Sequence, residues 1–469
     1  MSPLLIVTII VVVVLLLIGL ISALTGDDAG SGSGKPGDAA GGGPAHDHSA
    51  GTENCPACQA AAKAVKKTVP QKCLVLFRPT AAWKGEYGID WMREGDSGLV
   101  GDVDYINIIG AYGSVYATEA AAVFTVNKAK YASLKTGFFN PYTISWKKDA
   151  KGIPVDYMIA WLSLFPKDQC TGNNKKFEAK ISLDVEIVAN EPEVLRLVYN
   201  KDYFELDKQE LTPKTVGKYK TDLTIKCIKE FSDDQEIKIV PYKTDDIDDT
   251  CGKIKIVKND KANRYKANIV FVKVATMING VAKMGSTGSE KDFLEKYLFQ
   301  SLTSLNFKEE TLDLKTDATF NSTCVLAEDP SVNAVLNFLP GGKQVHGYLE
   351  TKFAAAVPGY DAWFKVFFFD EDGGYMNGGN YQGLNGCAKA IPSKSVVLYN
   401  GHNTSTTTHE LLHAVGLYHT FDNSGQFTYK IGETENIMDY SHQSTYGSKN
   451  RIATWKWQWD ALHSKFEKE

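Results

Sequence analysis

His409-Glu410-Leu411-Leu412-His413-Ala414-Val415-Gly416-Leu417-Tyr418-His419 lies near the C-terminal end of the 469-residue chain, followed by Asn436-Ile437-Met438-Asp439-Tyr440. Residues four apart share a helix face, so His409 and His413 can offer two imidazole nitrogens to one metal ion while Glu410 faces the same cleft. A catalytic zinc site takes three protein ligands and keeps one position for water. Gly416 tolerates the positive φ that ends a helix, so the chain turns there and His419 can return as the third ligand. The three histidines are the candidate zinc ligands, and Glu410 is the candidate general base.

These residues match H-E-x-x-H-x-x-G-x-x-H with a downstream methionine turn, and the segment resembles the metzincin zinc proteases. Gly416-Leu417-Tyr418-His419-Thr420-Phe421 with Asn436-Ile437-Met438-Asp439-Tyr440-Ser441 is similar to the pappalysin branch of that clan, although Leu412 stands where that branch often has a small residue. The resemblance implies an α+β catalytic domain whose mixed sheet precedes the active-site helix. It implies Zn2+ held by His409, His413 and His419, with Met438 as an apolar floor beneath them. Tyr440 stands where some metzincins place a tyrosine that reaches the metal or the oxyanion; packing is the alternative. The implied reaction is endopeptide hydrolysis by metal-activated water. The implied partner is a protein or peptide bound as an added strand, for which residues 373–379 and the strand up to Cys387 are candidates.

Around this stretch, Ala267-Asn268-Ile269-Val270-Phe271-Val272-Lys273-Val274, residues 362–369 and residues 395–400 read as strands. Residues 292–307 read as an amphipathic helix through Phe293, Tyr297, Leu298, Leu302 and Leu305. Asn403, Thr404 or Ser405 can cap the histidine helix. Residues 452–466 read as a C-terminal helix with Trp455, Trp459 and Leu462 in its core face. His346, His402, His442 and His463 read as ordinary core or surface histidines.

The expected organisation is multidomain. Residues 1–25 form a transmembrane anchor or signal segment, because residues 4–24 are apolar and uncharged over about the span of a bilayer core. Residues 26–54 are a Gly-, Ser- and Pro-rich flexible linker, with His46 and His48 solvated in it. Residues 55–170 form a β-rich module, in which residues 83–93 offer either a recognition surface or a core. Residues 171–250 form an immunoglobulin-like β-sandwich, read from alternating runs such as Phe177-Glu178-Ala179-Lys180-Ile181-Ser182-Leu183. Residues 251–469 form the protease domain.

Asp245, Asp246, Asp248 and Asp249 could bind Ca2+, or line a solvated linker. Of the eight cysteines, Cys227 with Cys251 and Cys324 with Cys387 are the expected disulfides, and Cys55-Pro56-Ala57-Cys58 is a structural pair or two inert thiols, with a redox or metal site near His46 and His48 as the alternative. A net charge of −5 gives no basic field for nucleic acid. The expected location is a single-pass membrane protein with the catalytic domain outside the cytoplasm, or a secreted one. Two alternatives stay open: a secreted or injected effector or toxin protease, and a non-catalytic surface adhesion protein with a structural zinc site.

Overall fold

In strand Glu178–Ala189, Ile181, Leu183, Val185 and Ile187 are buried while charged neighbours face outward, as period-two alternation demands. The strand pairs antiparallel with Lys72–Pro79 and with Gly217–Cys227, and Phe204–Leu206 completes a four-stranded sheet. A six-stranded sheet packs on it, in the order Glu210–Leu211, Val194–Val198, Gln235–Tyr242, Gly252–Ile256, Ala160–Ser163, Gly88–Asp90. Val75, Phe77, Leu162, Leu183, Ile225 and Ile254 share the core between the two sheets. The computed structural model describes residues 72–114, 122–170, 176–242, 250–326, 334–339 and 343–469.

Strands from either side of residue 170 therefore share both sheets, and Gly252–Ile256 belongs to the sandwich rather than to the segment after it. Ala160–Ser163 runs parallel to Gly252–Ile256, a departure from the all-antiparallel sheets of an immunoglobulin-like sandwich. Trp83, Tyr87 and Trp91 are buried in the sandwich core, so this aromatic stretch is core and not an exposed recognition surface.

The run Ala267-Asn268-Ile269-Val270-Phe271-Val272 is apolar on both faces because its strand, Tyr265–Ile278, is covered on both sides. Ala267, Ile269 and Phe271 pack with Leu294, Leu298, Leu411 and Val415, whereas Val270, Val272 and Val274 pack with Phe320, Val345, Leu349 and Phe353. Tyr265–Ile278 runs parallel to Thr303–Asp313 and to Phe364–Phe368, and Ser395–Leu398 extends the parallel set. Gly386–Ala388 adds an antiparallel strand at the end of this seven-stranded sheet.

The helix expected over residues 292–307 is shorter. It spans Glu290–Gln300, Leu302 adopts φ 54°, and Leu305 and Phe307 lie on strand Thr303–Asp313. Pairing with Tyr265–Ile278 gives those backbone groups partners, and this long-range gain overrides a helical pattern that is local. The C-terminal helix spans Lys456–His463, with Trp455 and Trp459 buried as expected.

All six cysteines of the described residues are free. Cys227 does not reach Cys251: its sulfur accepts from Asn259 Nδ2 at 3.1 Å, and Cys251 sits beside Cys73. Cys324 does not reach Cys387, whose thiol donates to Asn337 Oδ1 at 3.0 Å. Among the described residues no helix is long and apolar enough to cross a membrane. The expected anchor at 1–25, the linker at 26–54, Cys55, Cys58 and the acidic cluster Asp245, Asp246, Asp248 and Asp249 lie outside the described residues.

The N-terminal region also reaches the C-terminal one directly. Ile109–Tyr112 pairs with Thr428–Tyr429, and Met92, Tyr105, Phe139, Phe427, Tyr429 and Trp455 share a core. Within it, the buried Arg93 guanidinium donates from Nε to Glu435 at 3.0 Å and also pairs with Asp90, while Asp90 accepts from the Lys456 backbone N–H at 2.8 Å.

Candidate metal centre

Helix Thr404–Val415 carries His409, Glu410 and His413. Its start is set by Asn403, whose side-chain oxygen accepts from the backbone N–H groups of Ser405 and Thr406, both at 3.0 Å. Its end is set by Gly416 at φ 132°, whose N–H bonds to Leu412 and His413 carbonyls, followed by Leu417 N–H to Leu412 O at 2.9 Å. These bonds close the last turn and redirect the chain. His419 then comes back onto the face already occupied by His409 and His413.

The three Nε2 atoms form a triangle with 3.1 Å sides. His409 Nδ1 faces the Ile437 carbonyl at 3.0 Å and His413 Nδ1 the Leu417 carbonyl at 2.6 Å. A carbonyl can only accept, so both Nδ1 atoms carry the proton and both Nε2 atoms present lone pairs inward. Lone pairs converging at this spacing repel unless a cation lies between them. Nitrogens at about 2.0–2.1 Å in a tetrahedral zinc shell lie roughly 3.3 Å apart, close to the spacing seen. The donor set therefore fits a zinc-type ion, and it is the one group of three such residues brought together among the described residues.

Burial, with the neighbouring imidazoles and Arg451, pushes the His409 pKa well below its ordinary range. Burial lowers His413 to about 4 and, with His413 and Arg451, His419 to about 2. On the other side of the sheet, burial lowers His346 to about 3; its Nδ1 lies 2.9 Å from Ser395 Oγ. Neutral imidazoles are the form that binds metal. The stability consequence has a definite sign. The unfolded chain protonates these histidines near pH 6.5 and the folded chain does not, so their contribution is present above about pH 6.5 and is lost as pH falls toward the folded values. Metal-free protein is expected to lose roughly 1 kcal/mol per buried histidine between pH 7.5 and pH 5.5. Urea midpoints at the two pH values check this, and coincident midpoints would contradict neutral burial.

Glu410 points from the same helix toward the edge strand Gly386–Ala388, where its Oε2 accepts the Ala388 backbone N–H at 2.9 Å. Burial raises its pKa to about 7, against the lowering effects of that N–H and of Arg451. A Cβ at position 386 would lie 2.6 Å from Leu398 Cδ2 and 3.4 Å from Glu410 Cγ, so glycine lets the edge strand close down on the helix. Met438 is fully buried beneath the helix with Leu411, Leu412 and Ile437. Its turn is held by Asp439, whose carboxylate accepts from Gly432 N, Thr434 N, Thr434 Oγ1 and Tyr440 N. The Tyr440 ring packs 4.9 Å from His419 and 6.0 Å from His409, and burial, with Glu410, raises its pKa to about 12.

The structure thus brings together every residue singled out for this site: His409, Glu410, His413, His419, Met438 and Tyr440. His402 binds the Tyr399 carbonyl and Glu290, and His463 the Ser301 carbonyl, both away from the triangle. Three contributors were not visible in the sequence: the Ala388 N–H, the Asp439 carboxylate that ties the turn, and Arg451, whose Nη1 donates to the Ile437 and Asp439 carbonyls at 3.3 Å each. A lone arginine, an aspartate and a backbone amide carry no local signature. No protein-family model matches the chain, and comparison with curated protein sequences yields no match.

Proposed function

We propose that the chain is a zinc-dependent endopeptidase of the metzincin type, closest to its pappalysin branch, with residues 1–25 as its membrane tether or export signal. The observation that carries this reading is the 3.1 Å triangle of His409, His413 and His419 Nε2 atoms with the Glu410 carboxylate braced beside it by Ala388. Zn2+ held by three neutral imidazoles keeps its full charge, lowers the pKa of bound water toward about 7 and polarises a carbonyl.

Glu410 accepts the proton of the attacking water and returns it to the leaving amine. The Ala388 N–H holds Glu410 Oε2, which leaves Oε1 to exchange the proton. In the antiparallel ladder with Ser395–Leu398, Ala388 directs its N–H outward to Glu410, so by alternation Gly386 also directs its peptide groups outward. That outward edge is where an extended substrate strand adds, next to the general base. Tyr440, whose ring lies 4.9 Å from that of His419, is the candidate to reach the metal or the oxyanion.

The test is cleavage of casein and of quenched peptides by the purified chain. Activity is expected to vanish with a chelator and to return on adding Zn2+. Zinc-loaded, folded protein that cleaves no peptide would instead favour the structural-zinc alternative.

A further inference from the structure

Arg451 stands in the segment after the Met438 turn. Its guanidinium lies across that turn through Nη1, bonded to the Ile437 and Asp439 carbonyls, and its own carbonyl accepts from the Tyr297 hydroxyl at 2.5 Å. The side chain is half-buried. The Ile437 carbonyl that accepts from Arg451 Nη1 also faces His409 Nδ1 at 3.0 Å, so one backbone carbonyl separates the guanidinium from the His409 ring.

The chain's other arginines behave differently. Arg78 pairs with Asp96 and Glu94, Arg93 with Asp90 and Glu435, Arg196 with Glu210, and Arg264 with Glu230 and Glu469. Arg451 binds backbone carbonyls and makes no ion pair among the described residues, although the charges of Asp439 and Glu410 act on it from beyond ion-pair distance. A guanidinium presents five donors in a planar fork that matches a carboxylate, and two long bonds from one nitrogen leave most of that fork unused. A half-buried cation left in this state, one backbone carbonyl from the His409 ring, is complementary to an anion brought by the ligand.

We propose that Arg451 recognises a carboxylate of the substrate close to the scissile bond, so that this protease selects acidic peptides. The carboxylate comes from an Asp or Glu side chain or from the peptide's own C-terminus. The inference rests on the endopeptidase reading for its turnover assay and has a binding assay that does not.

The probes are decapeptides with Glu or Gln at the residue flanking the mapped cleavage site, each made as free acid and as C-terminal amide. Wild type is expected to favour the carboxylate-bearing member of one pair by about tenfold or more in kcat/KM. The Glu/Gln pair reports side-chain recognition, and the acid/amide pair reports the terminus. In Arg451→Gln that ratio is expected to fall to within about twofold whichever way the overall rate moves, and Arg451→Lys is expected to keep part of it. A brace acting only on the Met438 turn would slow all four peptides alike. Ratios near one in wild type, or a ratio unchanged in Arg451→Gln, overturn the proposal. If no peptide is cleaved in a chelator-sensitive way, the protease reading falls. Fluorescence anisotropy of the same peptides on zinc-loaded Glu410→Gln protein, with and without Arg451→Gln, then decides the carboxylate preference by itself.

Discussion

Glu410→Gln is expected to lower peptide cleavage by about 10²–10⁴-fold while the protein keeps its zinc. Glutamine preserves the shape of the side chain and can still accept the Ala388 N–H through its amide oxygen, so helix and edge strand keep their contact. In the proposed mechanism the substitution removes the group that takes the proton of the attacking water and delivers it to the amine. The residues that could hold the metal are His409, His413 and His419, and the substitution leaves all three in place. Steady-state kinetics on the peptides cleaved by wild type, with metal content measured on the same sample, check the result. Activity within about tenfold of wild type would assign the proton transfer to another group. Loss of zinc along with activity would show that the substitution acted on the site's structure instead.

Arg93→Met is expected to destabilise the protein by about 3–5 kcal/mol. Burial alone would lower the Arg93 pKa, but Glu435, Tyr105 and Asp90 together raise it, so the guanidinium stays charged in the core. It is also stacked 3.7 Å over the Trp91 ring. Methionine fills a similar volume but leaves Asp90 and Glu435 without their cation, and an uncompensated buried charge is costly. Arg93→Met with Glu435→Gln should recover part of the loss, because one stranded carboxylate is neutralised. The effect should reach the metal centre. Glu435 directly precedes Asn436-Ile437-Met438, and the Ile437 carbonyl orients His409. Zinc affinity is therefore expected to fall in Arg93→Met. Chemical denaturation of metal-free and zinc-loaded protein measures both, and a loss below about 1 kcal/mol would show that the network is solvated rather than buried.

The histidine trio, its carboxylate, the helix cap and the glycine that turns the chain were legible in the sequence because each depends on residues no more than a few turns apart. Spacing along one helix and one tight turn brings His409, Glu410, His413 and His419 together, while the Ile437 carbonyl and the Ala388 N–H orient the His409 and Glu410 side chains. The buried strands Tyr265–Ile278 and Phe364–Phe368 were legible for a similar reason, since covering a sheet on both faces demands continuous apolar runs.

Contacts made across hundreds of residues belong to the tertiary structure alone. The partner of Glu435 lies 342 residues away in sequence, and nothing local to Arg93 announces it. The sandwich crosses the expected division at residue 170 because strand pairing follows backbone hydrogen bonds, which any residue but proline can make. Leu305 and Phe307 fit a helix by pattern and a strand by partner, and the partner decided. The cysteines obey the same logic: two thiols approach only if the folded chain brings their strands together, and it brought Cys251 to Cys73. Local chemistry thus identified which atoms can hold a metal, while long-range packing set what surrounds them: an edge-strand amide on Glu410, a buried ion network next to the Met438 turn and a guanidinium bonded across that turn.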